Sequence, residues 1–301
     1  MKNIVVRMRG GLGNQLFIVA YALYLQTLFE KSNLICDTRE YLYYKVREYE
    51  LDKMKVGELL NEYIPENDRH NFKYEFFMKI LHLRMYVIKK MHLPFIEKST
   101  WEEKFQIIYN TSDIDITKFK SNYLYLYGYF VNVKPLLKIR NKLCAYFEVK
   151  NVSDTMKRYL DMINNSEHSV AISMRFGQDY VDNKWPICSK EYYEAGIDAL
   201  SGHNTTIFVF ADEIDKAKEY FKDRNDVYFI EDCSPTEQMS IMKECDDYII
   251  SNSTFSWWGA FLGKNDNRVI YAPDIWHDKK TKDSNFYYDN IQVISTTGEF
   301  L

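Results

Sequence analysis

The fold of this chain is decided near its start, where residues 3–15 read NIVVRMRGGLGNQ. The run at 3–8 is rich in β-branched residues and is typical of a buried strand, and the glycines after it are typical of a tight loop. Apolar residues then recur with helical spacing over 16–29, and a second strand is predicted at 33–37. Parallel strands joined by a helix form sheets that helices cover on both faces, so the sequence predicts an α/β fold.

The second half of the chain repeats this alternation. Strands are predicted at 169–174, 206–210, 227–230, 248–251 and 269–272, with helical segments between most of them. One helix, predicted from Pro235 to Cys245, follows a capping box that begins at Ser234 and has proline at the first helical position. Strand–helix alternation at this spacing predicts a doubly wound sheet.

Length and charge set limits on the domains and partners. The chain has 301 residues, enough for two domains, and a polar break near residues 150–153 places them at 1–150 and 151–301. The net charge of −4 gives no field that would gather nucleic acid, so nucleic acid is not an expected partner. Because the sequence contains neither a signal-peptide core nor an apolar run of membrane-spanning length, we expect a cytoplasmic protein.

The five cysteines are odd in number and far apart in sequence. They lack the spacing of metal ligands, so we interpret them as reduced, buried thiols rather than disulfides or metal ligands. They are Cys36, Cys144, Cys188, Cys233 and Cys245.

The glycine loop, residues 9–15, lies where the N–H groups at a helix N-terminus can approach a diphosphate. The candidate binding residues there are Gly11, Gly13, Asn14 and Gln15. A merely tight turn is an equal alternative. Asp37 follows at the position of a ribose-binding acid, which favours a nucleotide-linked oxidoreductase, but Leu16 replaces the third glycine of that fingerprint.

A second candidate anion site follows the strand predicted at 248–251. Residues 251–260 read SNSTFSWWGA and bring hydroxyl groups and unpaired N–H groups to the start of the next helix, at the carboxyl end of a parallel strand. The candidate residues are Ser253, Thr254, Phe255 and Ser256. Helix capping by Ser253 or Thr254, with Trp257 and Trp258 in the core, is compatible with this role.

Asp113 and Asp115 have the Asp-x-Asp spacing of the metal-binding pair in another class of sugar transferase. No apolar strand precedes them, and a chain with 43 acidic residues produces such triplets by chance. We therefore interpret them as part of a solvated loop and expect no metal site.

Five blocks, in order along the chain, resemble glycosyltransferase family 11, the α-1,2-fucosyltransferases. They are 10–17 (GGLGNQLF), 127–130 (YGYF), 208–213 (FVFADE), 239–245 (MSIMKEC) and 251–260. The resemblance implies a GT-B-type fold, with two Rossmann-like domains and the active site in the cleft between them. It also implies a GDP-β-L-fucose donor, a galactoside or other glycan acceptor, inversion at the sugar carbon, an α-1,2 linkage, and neither metal nor cofactor.

One block departs from the family pattern His-x-Arg-Arg-Gly-Asp-Tyr. Here Ser173 replaces the histidine, Phe176 replaces the second arginine, and Gln178 is added, while Arg175 and Asp179 remain. We expect Arg175 to receive the charge of the departing diphosphate, because a guanidinium is a bidentate donor of fixed charge.

Two further acids complete the expected site. Asp179 is the predicted general base, with Asp182 as the alternative, and Asp212 at the end of its strand is a predicted donor-binding residue. The changed block leaves two alternatives to fucosyl transfer, another GDP-linked deoxysugar or a glycan-binding relative without activity. The glycine loop and Asp37 leave the oxidoreductase as a third.

Residues 76–95 carry four basic side chains and no acid, interleaved with apolar residues. Such a helix can lie on an anionic membrane that presents a lipid-linked acceptor, which would make the protein peripheral on the inner face of the cell membrane. Of the two interpretations, we favour packing of the helix on its own domain.

Overall fold

The fold is seen in a computed structural model that describes residues 1–29, 31–43, 46–64, 72, 74–76, 78–80, 83, 106–109, 115–200, 204–276 and 285–301. The chain forms two compact units. The first comprises Met1–Gly10, Phe17–Tyr49 and Gly57–Val131, and the second comprises Gly11–Leu16, Glu50–Val56 and Asn132–Leu301. The last stretch of the second unit begins at Asn132, whereas the sequence places the domain boundary between residues 150 and 151.

The first unit contains a five-stranded parallel sheet in the order β3-β2-β1-β5-β4. Its strands are β1 (Lys2–Arg7), β2 (Ser32–Asp37), β3 (Leu60–Glu62), β4 (Ile107–Tyr109) and β5 (Tyr123–Tyr127). Helix α1 (Leu12–Thr27) connects β1 to β2, as predicted. Val5 at the centre of β1 pairs with Ile35 and Tyr125, and its burial reflects cover on both faces.

The second unit contains a six-stranded parallel sheet in the order β11-β10-β9-β6-β7-β8. Its strands are β6 (His168–Met174), β7 (Thr205–Ala211), β8 (Val227–Phe229), β9 (Asp247–Ile249), β10 (Ile270–Pro273) and β11 (Ile291–Ile294). The five strands predicted for this half correspond to β6 through β10. The order reverses around β6, the first strand of the sheet, as in doubly wound folds.

Helices flank the second sheet. They are α2 (Val133–Leu137), α3 (Arg140–Tyr146), α4 (Asp154–Asn164), α5 (Gln178–Asn183), α6 (Lys190–Ala199), α7 (Ile214–Tyr220), α8 (Pro235–Met242) and α9 (Thr254–Phe261). The capping box predicted for α8 is present, with Ser234 and Glu237 each accepting from the other's backbone N–H. The helix ends at Met242 rather than at Cys245.

Aromatic residues fill much of the second unit's core. Trp257 and Trp258 on α9 are fully buried, and their rings meet edge to face at 5.1 Å. Phe147 packs against Trp258 in the same way. The expectation that the two tryptophans fill the core is confirmed, and their burial fixes α9 against the sheet.

All five cysteines are free thiols, as predicted. Cys36, Cys188 and Cys245 are buried, whereas Cys144 and Cys233 are only half-buried, so the expectation of burial is wrong for these two. Burial raises the pKa of Cys36 and of Cys188 to about 12. These two thiols are therefore poor nucleophiles near neutral pH.

Candidate functional site

The carboxyl ends of three neighbouring strands place the predicted site residues of the second unit at one edge of its sheet. Strands β9, β6 and β7 lie side by side and run parallel, so the loops that follow them meet there. Arg175 comes directly after β6, Asp212 directly after β7, and the first residue of α9 shortly after β9.

Arg175 and Asp212 form an ion pair at this edge. The strand register pairs Met174 with Ala211, which brings the next residue of each strand together. Arg175 Nη1 lies 3.3 Å from Asp212 Oδ2, and the side chains are 21% and 18% exposed. The backbone N–H groups of Phe176 and Gly177 each donate to one oxygen of Asp212 at 2.9 Å. The carboxylate is thus bonded to the loop that carries the arginine.

Tyr180 is a member of this site that the sequence did not single out, although it closes the variant block. Its ring lies 5.1 Å from the Arg175 guanidinium carbon. Its hydroxyl donates to the carbonyl of Asn252 at 2.7 Å, and Asn252 in turn donates to the carbonyls of Pro186 and Trp276. Through Tyr180, the loop after β6 is joined to the chain that enters α9.

The start of α9 differs from those of its neighbours. Helices α4, α6 and α8 are each capped by a serine hydroxyl that accepts from the first turn, whereas Ser253 at the same position of α9 makes no such bond. Ser256 Oγ donates to the carbonyls of Ser251 and Ser253. The first turn of α9, at the positive end of the helix dipole, therefore has no hydroxyl cap from Ser253.

The glycine loop packs on this helix start, within the second unit. A Cβ added at Gly13 would lie 2.5 Å from the carbonyl carbon of Thr254 and 2.6 Å from the nitrogen of Phe255, so no larger residue fits. Thr254 Oγ1 donates to Asn14 Oδ1 at 3.1 Å. The first turns of α1 and α9 are consequently in contact, and each is the positive end of its helix.

Gly11 and Gln15, the other residues of the glycine loop that were predicted to bind a ligand, form hydrogen bonds within the protein. The carbonyl of Gly11 accepts from the N–H groups of Asn14 and Gln15, which begins α1. Gln15 is fully buried, and its Oε1 accepts from the N–H of Glu50 at 2.9 Å. The contact of the loop with α9 therefore runs through Gly13 and Asn14.

The variant block has a physical explanation at two positions. Phe176, at the place of the family's second arginine, packs against the apolar core under the sheet. Ser173, at the place of the histidine, is buried with its hydroxyl 3.3 Å from that of Ser251. Asp179 belongs to α5, which begins after Gly177, but its side chain lies outside the described part of the structure.

Asp37 does not have the environment of a ribose-binding acid. It is fully buried, and both of its oxygens accept hydrogen bonds from guanidinium groups, from Arg39 at 2.8 Å and from Arg7 at 3.0 Å. Burial opposes its ionisation, but the bonds and charges of the two arginines outweigh burial and lower the pKa of Asp37. This carboxylate holds the first unit together, which argues against the oxidoreductase.

Asp115 is exposed and caps the short 3-10 helix Ile116–Lys118 by accepting from Thr117, while Asp113 lies outside the described residues. The expectation that no apolar strand precedes this pair is wrong, because β4 ends at Tyr109. Across the part of the chain that the structure describes, no three His, Cys, Asp or Glu side chains form a group suited to a metal ion. Most of the basic stretch 76–95 also lies outside that part. None of the described helices is both long and apolar enough to span a bilayer.

Solved structures share this fold. An Arabidopsis thaliana FUT1 mutant in complex with GDP matches 90% of this chain and 70% of its own, with a TM-score of 0.50 and 13% identity. The NodZ α-1,6-fucosyltransferase, soaked with GDP-fucose, matches 90% of this chain and 95% of its own, again with a TM-score of 0.50 and 13% identity. The expected GT-B-type α/β architecture is thus confirmed.

Sequence comparison identifies the family. An Escherichia coli α-1,2-colitosyltransferase is 29% identical over 296 residues, covering 94% of this chain and 96% of the relative. The Escherichia coli O-antigen biosynthesis glycosyltransferase WbnK is 26% identical over 294 residues, covering 89% and 92%. Residues 3–292 match the profile described as Glycosyl transferase family 11. Because that match spans nearly the whole chain, the protein belongs to glycosyltransferase family 11.

Proposed function

We propose that this glycosyltransferase moves L-fucose from GDP-β-L-fucose to a hydroxyl of a galactoside or related glycan, with inversion and an α-1,2 linkage. The observation that carries the proposal is that Arg175 follows β6, while the start of α9, which contacts the start of α1, follows the neighbouring strand β9. No cofactor is needed, because the bond energy resides in the donor.

The donor's leaving group explains why these positive groups are required. When the sugar–oxygen bond breaks, negative charge builds on the departing diphosphate, and fixed donors that receive it lower the barrier. The Arg175 guanidinium supplies a full charge and the starts of α1 and α9 supply partial charges and N–H donors. Together they take the role that a divalent ion has in metal-dependent transferases.

The acceptor hydroxyl must lose a proton as its oxygen attacks the anomeric carbon from the face opposite the diphosphate. We assign this proton to the carboxylate of Asp179, which follows Arg175 closely in sequence on α5. Asp182, on the same helix, is the alternative base.

A second candidate donor is favoured by the relative named as a colitosyltransferase. Colitose is L-fucose without its 3-hydroxyl, so one site can discriminate between the two sugars only through the groups that surround carbon 3. A pocket that hydrogen-bonds the 3-hydroxyl rejects the sugar that lacks it, whereas an apolar pocket discriminates weakly. The relative named for O-antigen biosynthesis likewise suggests a bacterial surface glycan, assembled on a lipid carrier, as the acceptor.

The test is a donor screen with the purified protein. GDP-fucose, GDP-colitose, GDP-mannose and UDP-galactose are each incubated with a panel of β-galactosides, and the products are identified by mass spectrometry and linkage analysis. We expect transfer from GDP-fucose, from GDP-colitose, or from both, at the 2-hydroxyl. Transfer from UDP-galactose or GDP-mannose alone would refute the donor assignment, and GDP binding without any transfer would favour an inactive relative.

A further inference from the structure

Both carboxylate oxygens of Asp212 accept hydrogen bonds from the protein backbone, which is unusual for an acid that binds a ligand. We infer that it is a positioning residue: it fixes the loop after β6 and orients Arg175, and it does not itself contact the donor. This inference rests on the proposed function, in which Arg175 receives the diphosphate charge.

The hydrogen-bonding capacity of the carboxylate supports this role. Two successive backbone N–H groups, those of Phe176 and Gly177, donate to separate oxygens at 2.9 Å, and Arg175 Nη1 lies 3.3 Å from one of them. An ionised carboxylate only accepts hydrogen bonds, and these three donors use most of its lone pairs. Little capacity remains for the hydroxyls of a ribose or the edge of a base.

The geometry of the loop explains why such a fixing group is needed. Residues 175–177 lie between the end of β6 and the start of α5, and the carbonyl of Gly177 accepts the first bond of that helix from Tyr180. Asp212 follows β7 directly, and the β6–β7 register places it opposite these residues. One side chain thus transfers the rigidity of the sheet to the loop that carries the arginine.

Electrostatics points the same way. A free carboxylate beside a diphosphate would repel it, whereas a carboxylate paired with Arg175 and two N–H groups is largely neutralised. Loss of its charge has two opposing effects on GDP: it removes a nearby negative charge, and it loosens the guanidinium. We therefore expect a small change in GDP affinity and a large change in the rate of transfer.

The first experiment is a double-mutant cycle on transfer by the full chain. Asp212→Asn is expected to lower kcat ~10- to 100-fold, with the donor KM changed by less than ~3-fold, since it misplaces one preorganised donor. In an Arg175→Ala background, Asp212→Asn should lower kcat by a further factor of less than ~2, because the guanidinium that Asp212 orients is absent. If each substitution lowers kcat independently, so that the two factors multiply in the double variant, the inference is wrong.

The second experiment needs no turnover, so it stands even if the donor assignment fails. Hydrogen exchange should speed up at the amides of Phe176 and Gly177 in Asp212→Ala, and calorimetry should give a GDP affinity within ~3-fold of the parent for Asp212→Asn. The matched control is Asp215→Asn, an exposed acid in the first turn of α7, which should change neither quantity. Unchanged exchange would contradict the positioning role, and a GDP affinity at least ~10-fold weaker would instead make Asp212 a direct ligand.

Discussion

At Arg175 a guanidinium lies against one carboxylate and over one aromatic ring, and both partners come from the same unit. We expect Arg175→Ala to lower kcat at least ~100-fold, the scale for removing one preorganised charge-stabilising donor. Circular dichroism and thermal unfolding should remain near those of the parent, because the side chain is partly exposed. Arg175→Lys is the control, because it keeps the positive charge but lacks the planar guanidinium that donates two parallel hydrogen bonds. Its kcat should lie between those of the alanine variant and the parent. Near-normal turnover of the alanine variant would make Arg175 structural.

Gly13 is constrained by the lack of space for a side chain at its position. Gly13→Ala places a methyl group against the backbone of Thr254 and Phe255, which cannot yield without moving the start of α9. We expect GDP affinity to fall at least ~10-fold, about 1.4 kcal/mol, with a loss of unfolding free energy of about 1–3 kcal/mol.

A matched control for Gly13 is Gly196→Ala on α6, whose new methyl would meet the side chain of Ile249 in the core. It should lose stability to a similar extent while the folded protein keeps its GDP affinity. Calorimetry and urea unfolding on both variants separate the two effects. Equal loss of affinity in the two variants would mean that Gly13 acts only through stability.

The sequence identified single residues of the site better than their contacts. Arg175 and the glycine loop are evident from residue type and position, because strand ends and helix starts are local features. The bond of Thr254 to Asn14 joins residues 240 positions apart, and that of Asp212 to Gly177 joins residues 35 apart. Only the folded sheet brings these partners together, so no local pattern predicts them.

Among the elements, α9 has its two ends held in different ways. Its amino end has no serine cap, whereas at its carboxyl end Arg268 donates to the carbonyls of Ala260 and Phe261, and Arg140 donates to those of Phe261 and Gly263. Positive side chains at this end complement the helix dipole and satisfy carbonyls that have no partner within the helix. The helix is thereby anchored at the end away from the proposed anion site.

We therefore expect Arg268→Met to reduce the free energy of unfolding by about 3 kcal/mol, because it removes the charged donor to buried carbonyls and leaves them without that hydrogen bond. Arg268 is 3% exposed, so water cannot replace it. Arg140→Met is the comparison: its side chain is 19% exposed, and we expect a loss of about 1 kcal/mol. Urea titration measures both. A loss from Arg268→Met no greater than that from Arg140→Met would show that the carbonyls find other donors.

Elements with strong local signals were predicted well. The apolar runs of β1, β2 and β6 and the capping box of α8 are local signals that can be recognised in the sequence alone. The sequence did not reveal β3, β4, β5 or β11. These strands form through parallel pairing with β2, β5, β1 and β10, respectively. Their conformation comes from neighbours distant in sequence rather than from local propensity.

For the whole molecule, the proposed mechanism predicts transfer that survives excess EDTA. In that mechanism, Arg175 and the starts of α1 and α9 supply the positive charge that the departing diphosphate requires, so no metal ion is needed. Initial rates with and without chelator, after dialysis to remove adventitious ions, measure this. Loss of turnover in EDTA that Mn²⁺ restores would contradict the prediction and return attention to Asp113 and Asp115.

The composition of the second unit limits how this protein can be cut and recombined. Residues 11–16 and 50–56 belong to that unit although they precede its main stretch by many residues. A single crossover between residues 131 and 132 would take residues 11–16 and 50–56 from one parent and the stretch that contains Thr254 from the other. Chimeras between relatives should therefore be more stable when these two short segments come from the same parent as the C-terminal stretch, and any foreign loop must keep glycine at position 13.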